Sequence, residues 1–222
     1  DEWGNLLSLV TVKESYLFRV PAQFEALARI CLPGLEQRRG SGRLRIWSAG
    51  CARGEEPATL AVVLAESRGA RPPDRWRILA TDVDESALEE ARLGIYGGRA
   101  VAAVPEDLLE RYFRWRGDEL YELDPRLRGR IDYRPLNLVS TPLDVGGPPF
   151  DVVFFRNVLI YFNPEVQRRV VAAVAESMAP DGYLFVGPSE SLRGMVPGLG
   201  AVDLGSCFCY RWHAAESAKA LQ

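Results

Sequence analysis

The chain has 222 residues, 47% hydrophobic and 26% charged, which suits one large α/β domain or two small ones and leaves little room for wholesale disorder. Its 27 basic and 30 acidic side chains leave a formal charge of −3, which argues against a protein built to coat nucleic acid. No apolar run reaches the ~18 residues of a membrane span, and no charged-then-apolar leader opens the sequence, so no membrane insertion is expected.

The four cysteines (Cys31, Cys51, Cys207, Cys209) show no CxxC pairing, and there is a single histidine. A structural zinc site is therefore poorly supported, and no metal is expected. A chain this long has enough core without disulfides, so reduced thiols and a cytoplasmic location are the simpler reading. His213 lies in a polar stretch and is a poor general base, which weakens histidine-dependent hydrolase chemistry.

In chain order, residues 1–40 look helical, with Phe24, Leu27 and Ala28 on one face. The run 44–48 reads as a strand, and 56–67 as a helix with Leu60, Val63 and Leu64 on one side. A second strand over 77–81 precedes a helix over 85–93 that stops at Gly94. Residues 95–136 are mixed, with a short hairpin at Gly117-Asp118 and a strand over 131–136. The apolar run 151–155 suits a strand covered on both faces. Asn163 and Pro164 open a helix whose buried face carries Val166, Val170, Val174 and Met178. A strand over 182–186 follows, then a strand in which Cys207 and Cys209 share a face as packing residues. Residues 214–222 read as a polar tail or linker. The fold class is α/β: a Rossmann-like, mostly parallel central sheet with helices on both faces and a small β subdomain. The expected division is 1–40 as a helical segment closing the site, 41–213 as the main domain with an insert at about 95–136, and the tail.

Open parallel sheets bind ligands beyond the carboxyl ends of their strands. Directly after the first core strand comes Ser48-Ala49-Gly50-Cys51-Ala52-Arg53-Gly54-Glu55-Glu56-Pro57. Gly50 and Gly54 let backbone approach a ligand closely. The dinucleotide fingerprint GxGxxG fails, because Ala52 and Glu55 occupy glycine positions, and the Gly-Lys-Ser/Thr phosphate loop is absent. Glu55 and Glu56 at a helix start would repel a pyrophosphate and attract a cation such as an ammonium or a sulfonium. Asp82 ends the second strand, placed to accept hydrogen bonds from ribose hydroxyls. It stands 28 residues beyond Gly54, longer than the dinucleotide spacing of about 20. A glycine loop and this aspartate without phosphate chemistry point to S-adenosylmethionine. An unliganded or differently liganded domain stays open, with Glu55 and Asp84 serving only as helix caps.

The loop 48–57, Ala80-Thr81-Asp82-Val83-Asp84, Asn137-Leu138, and Phe155-Arg156-Asn157-Val158-Leu159-Ile160-Tyr161-Phe162 together resemble the CheR-type chemoreceptor glutamate O-methyltransferases. Glu14-Ser15-Tyr16-Leu17-Phe18-Arg19 and Gly187-Pro188-Ser189-Glu190-Ser191 extend the resemblance over roughly residues 10–212. It implies a class I methyltransferase that moves a methyl group from S-adenosylmethionine to glutamates in the cytoplasmic helical region of chemoreceptors, leaving S-adenosylhomocysteine. It also implies cofactor contacts from Ser15, Arg19, Gly50 and Glu55, with Asp82 on the ribose, Asn137 and Leu138 beside the adenine, and Asn157 and Val158 closing the site.

A glutamate with a pKa of about 4.3 is already anionic at neutral pH, so no strong base is needed. Arg156 and Tyr161 are the candidates to orient it, with an ion pair and core packing as their alternatives. The sequence departs from the family at Lys13, Ala52-Arg53, Ala58 and Pro188; the changes at Lys13, Arg53 and Pro188 motivate a second reading, a degenerate cofactor- or partner-binding module without turnover, and a third is a methyltransferase with a non-receptor substrate. The short hairpin Arg116-Gly117-Asp118-Glu119 suggests that docking of a receptor's C-terminal tether is not used.

Overall fold

The computed structural model describes residues 15–40, 42–67, 75–140 and 142–213. Lys13 and the tail 214–222 lie outside them. Seven strands form the main sheet: β1 (Leu44–Ala49), β2 (Trp76–Asp82), β6 (Ile131–Pro135), β7 (Phe150–Phe155), β8 (Met178–Val186), β9 (Leu199–Asp203) and β10 (Phe208–Trp212). Their order is β6-β2-β1-β7-β8-β10-β9. The first five run parallel, and β10 pairs antiparallel with both β8 and β9. The strand order reverses between β1 and β7, which opens a crevice at their carboxyl ends. Three further strands, β3 (Ile95–Gly97), β4 (Phe113–Gly117) and β5 (Leu120–Leu123), make a small antiparallel sheet in the order β3-β5-β4.

Successive strand residues point to opposite faces, so β7 feeds two cores. Val152 and Phe154 enter one, with Phe24 and Leu27 of the N-terminal helices and Leu60 of the helix Glu55–Glu66. Val153 and Phe155 enter the other, with Val170, Val171 and Val174 of the helix Pro164–Glu176. The Phe154 ring is stacked between Phe24 and Phe185, with centroids 5.4 and 4.6 Å away. On this second face no helix joins β6 to β7 among the described residues; the connection is irregular and contributes Leu136, Val139, Leu143 and Val145.

Local signals account for most boundaries. Asp84 caps the helix Glu85–Leu93 by accepting from the Ser86 and Ala87 amides, and Gly94 closes it in the left-handed region. Asn163 caps the helix Pro164–Glu176 through the Val166 amide. Two expectations need correcting. Met178 is buried in β8 rather than on that helix. Residues 15–20 are not helical, with Phe18 at φ 57° and Val20 at φ 64°; helix begins at Pro21–Ala26, widens to a π turn over Leu27–Cys31 and resumes over Leu32–Arg39. This stretch is nevertheless fixed: the Leu17 amide donates to the Ala100 carbonyl and the Phe18 amide to Thr59 Oγ1.

Candidate active site

A cavity of about 520 Å³ lies at the crevice where the strand order reverses. Of the residues singled out in the sequence, Ser15, Arg19, Gly50, Asp82, Asn137, Leu138, Arg156, Asn157, Val158 and Tyr161 line it. Glu55 does not. It is buried, it reaches the cavity only through a hydrogen bond with Ser15, and its Oε2 has no partner among the described residues. Its neighbour Glu56 lines the cavity instead.

The loop after β1 is held by its own backbone. The amides of Gly50 and Cys51 both donate to the Thr81 carbonyl at 2.8 and 2.9 Å. Gly50 adopts φ 81°, and a Cβ there would overlap Val158 Cγ2, so only glycine fits. The Asp82 carboxylate accepts from the Ala52 amide at 2.8 Å through one oxygen and from the Asp84 amide at 3.0 Å through the other. Each oxygen keeps a lone pair for a ligand in the cavity.

Beneath the loop lies a charged network. Ser48 Oγ donates to Glu56 Oε1 at 2.6 Å, and Glu56 Oε2 stands 3.1 Å from Arg156 Nε. Arg156 is 7% exposed, donates to Gln23 Oε1 at 3.0 Å, and stacks over Phe24 at 5.4 Å from its centroid. Gln23 in turn donates to the Val186 carbonyl at 2.8 Å. Burial pushes the Glu56 carboxyl above its ordinary pKa, with Arg156 and Ser48 pulling it back. Burial lowers the Arg156 pKa, with Glu56 opposing. The guanidinium is thus committed to a structural pair, and Tyr161 and Ile160 are the exposed side chains of this segment, 43% and 60% exposed.

The segment after β7 is clamped by Glu190. Its Oε2 accepts from the amides of Asn157 at 2.8 Å and Gly187 at 2.7 Å, and its Oε1 from the Leu159 amide at 3.1 Å. That holds Asn157 in the left-handed region at φ 59°, which asparagine tolerates better than most residues. Glu190 and Gln23 were given no role by sequence reasoning, and Glu56 only an attraction for a cation shared with Glu55, without its place in the cavity or its pairing with Arg156. Glu190 stands inside a segment the sequence does single out, but nothing in its neighbours tells which backbone it grips.

Arg53 lines the cavity and pairs with Glu90 at 3.0 Å, Pro188 is exposed, and Ala58 is fully buried in the core. No cluster of three or more metal-ligating side chains occurs among the described residues.

Residues 13–202 match the family described as CheR methyltransferase, SAM binding domain. The chain belongs to the CheR methyltransferase family. It is 37% identical over 193 residues to the chemotaxis protein methyltransferase of Escherichia coli, covering 86% of this chain and 65% of that one. It is 36% identical to chemotaxis protein methyltransferase 1 of Pseudomonas aeruginosa, covering 86% and 70%. With the probable biofilm formation methyltransferase WspC of Pseudomonas putida it shares 33% identity over 98% of this chain and 51% of that one. The chain thus spans about two thirds of the first two CheR relatives and half of the third. Among solved structures, the CurJ carbon methyltransferase aligns with a TM-score of 0.53 at 12% identity, covering 86% of this chain and 54% of that one, which supports the class I methyltransferase fold.

The cofactor of this CheR domain, S-adenosylmethionine, fits the residues present. The cavity volume is in the range of small-molecule sites. The Asp82 oxygens have capacity left for two hydroxyls, Gly50 permits close approach, and Glu56 presents negative charge to a cationic group.

Proposed function

We propose that this chain transfers methyl groups from S-adenosylmethionine to glutamate side chains in the cytoplasmic helical region of chemoreceptors, in chemosensory adaptation. The carrying observation is a cavity at the reversal of strand order that joins Asp82, Gly50, Glu56 and Asn157 under a rim bearing Tyr161. No helix of the described residues is long and apolar enough to cross a membrane; the reaction is assigned to the cytoplasm, where the receptor's helical region stands.

In this reading Asp82 accepts from the ribose hydroxyls, Asn137 and Leu138 border the adenine, and Asn157 and Val158 close the site. Ser15 and Arg19 cover it from the N-terminal segment, with Glu55 behind Ser15. Bound S-adenosylmethionine supplies an activated methyl: the glutamate oxygen gains the O–CH3 bond as the S–CH3 bond breaks, its electron pair staying on sulfur. The substrate carboxylate is already ionised, so the protein's work is to orient it and exclude water. The Tyr161 hydroxyl at the rim donates to it. Arg156 acts through Glu56 as a positioning residue, because its guanidinium is already paired.

The test incubates the protein with methyl-labelled S-adenosylmethionine and a cytoplasmic receptor fragment. Label released as methanol by mild alkali is expected, because methyl esters hydrolyse there. Alkali-stable label would move the acceptor to another group. No label, with S-adenosylhomocysteine still bound, would favour the module without turnover.

A further inference from the structure

A second cavity, of about 480 Å³, lies against residues 45, 77–79 and 129–134, away from the catalytic loops. Register makes it electropositive. Arg45 of β1 pairs with Arg77 of β2, and Ile78 pairs with Ile131, which sets Arg130 beside Arg77 at the start of β6. Neighbouring strands lie about 4.8 Å apart, so three guanidinium-bearing side chains leave one sheet face within about 10 Å of one another. Arg134 adds a fourth, two rows further along the same face.

Like charges side by side on a sheet are unfavourable unless something neutralises them. Asp132 is the acid lining the cavity, and it is paired with Arg134. Arg45 is anchored by neutral groups: it donates to the Gly146 carbonyl at 2.9 Å and lies 4.4 Å over the Phe150 ring. Its buried Nη1 has no hydrogen-bond partner among the described residues. Burial and the Arg134 charge lower its basicity, with the Asp151 carboxylate, which accepts from the Arg45 amide at 2.9 Å, opposing. The irregular β6–β7 connection leaves this face without a covering helix among the described residues, and so makes the hollow.

We propose that this arginine-lined hollow is a binding site for a compact phosphate anion, a pyrophosphoryl group either free or carried by a nucleotide. Planar guanidinium forks match phosphate oxygens bidentately. A concave site with three arginines in one short row suits adjacent phosphates. It suits an acidic helix less well, since the carboxylates of such a helix are spread along an open surface.

The experiment titrates the whole chain with pyrophosphate and with ADP by calorimetry, in wild type and in the variants Arg77→Gln and Arg130→Gln. Binding to wild type is expected, weakened about tenfold or more in each variant through loss of a charged bidentate contact. S-adenosylhomocysteine affinity, the measure of intact fold, should stay unchanged. ADP binding more tightly than pyrophosphate identifies the nucleotide as the source; equal affinity identifies the free anion.

Hydrogen exchange on the wild type reads the location without any variant. Pyrophosphate should protect residues 129–134 and 145–147 and leave 48–56 and 156–162 unchanged. Three results would overturn the proposal: no binding of either probe, affinity unaltered in both variants, or protection confined to the catalytic cavity. Binding of an acidic peptide where pyrophosphate fails would overturn it as well.

Discussion

Protonating Glu56 removes the negative charge that lines the catalytic cavity. Its pKa is raised by burial, so it takes up a proton at higher pH than an exposed glutamate, whose value is about 4.3. A cationic ligand therefore loses affinity as pH falls through that raised value. Calorimetric titration with S-adenosylhomocysteine, whose ammonium remains charged, should show weakening on acidification from about pH 8 to about pH 5, beginning above the ordinary glutamate range. In Glu56→Gln the profile should flatten; an unchanged profile would place the titrating group elsewhere. Asp82 is tested more directly. Its carboxylate is held by two backbone amides, and Asp82→Ala should cost about 1–3 kcal/mol of cofactor binding through lost hydroxyl contacts. Equal affinity in the variant would remove Asp82 from the site.

Elements meet the cavity through their ends, and Glu190 ties two of those ends together. It bridges the segment leaving β7 and the one leaving β8 through three amides. Glu190→Gln replaces a charged acceptor and should weaken S-adenosylhomocysteine binding about tenfold, at the scale of one charge-assisted hydrogen bond. Glu190→Ala should lose more. A structural role away from the site would leave affinity intact while lowering thermal stability, so both are measured.

Element ends are also where the sequence was most and least legible. The helix Glu85–Leu93 was readable because Asp84 and Gly94 punctuate it with side-chain and backbone chemistry. Gly50 and Asp82 were readable because strand-end loops carry ligands in this architecture. Met178 was placed on the wrong element because its spacing from Val174 satisfies a helix, while the strand that starts there buries it equally well. Adjacent Glu55 and Glu56 point about 100° apart around a helix. Which one faces the cavity depends on how that helix rolls against the sheet, and no local pattern records it. Glu190 was invisible as a clamp because its partners are main-chain amides from residues 157, 159 and 187.

For the whole molecule, Phe154 couples the N-terminal helices to the sheet through its stacking with Phe24 and Phe185. Phe154→Ala should cost about 3–5 kcal/mol of stability, as a fully buried aromatic leaves a cavity behind. Urea unfolding followed by tryptophan fluorescence should show the midpoint falling with little change of slope. A cost near zero would mean this ring does not tie the N-terminal helices to the sheet.

The pairing of β1 with β7 joins residues 46–48 to residues 152–154, with β2 and β6 made in between. Contacts so distant in sequence are slow to form, because the intervening loop must close first. The clamp from residue 190 comes later still along the chain. On the ribosome, the cofactor cavity therefore cannot be fixed until nearly the entire domain has emerged, and a chain interrupted before β8 carries every residue that lines the pocket without the clamp that holds its wall in place.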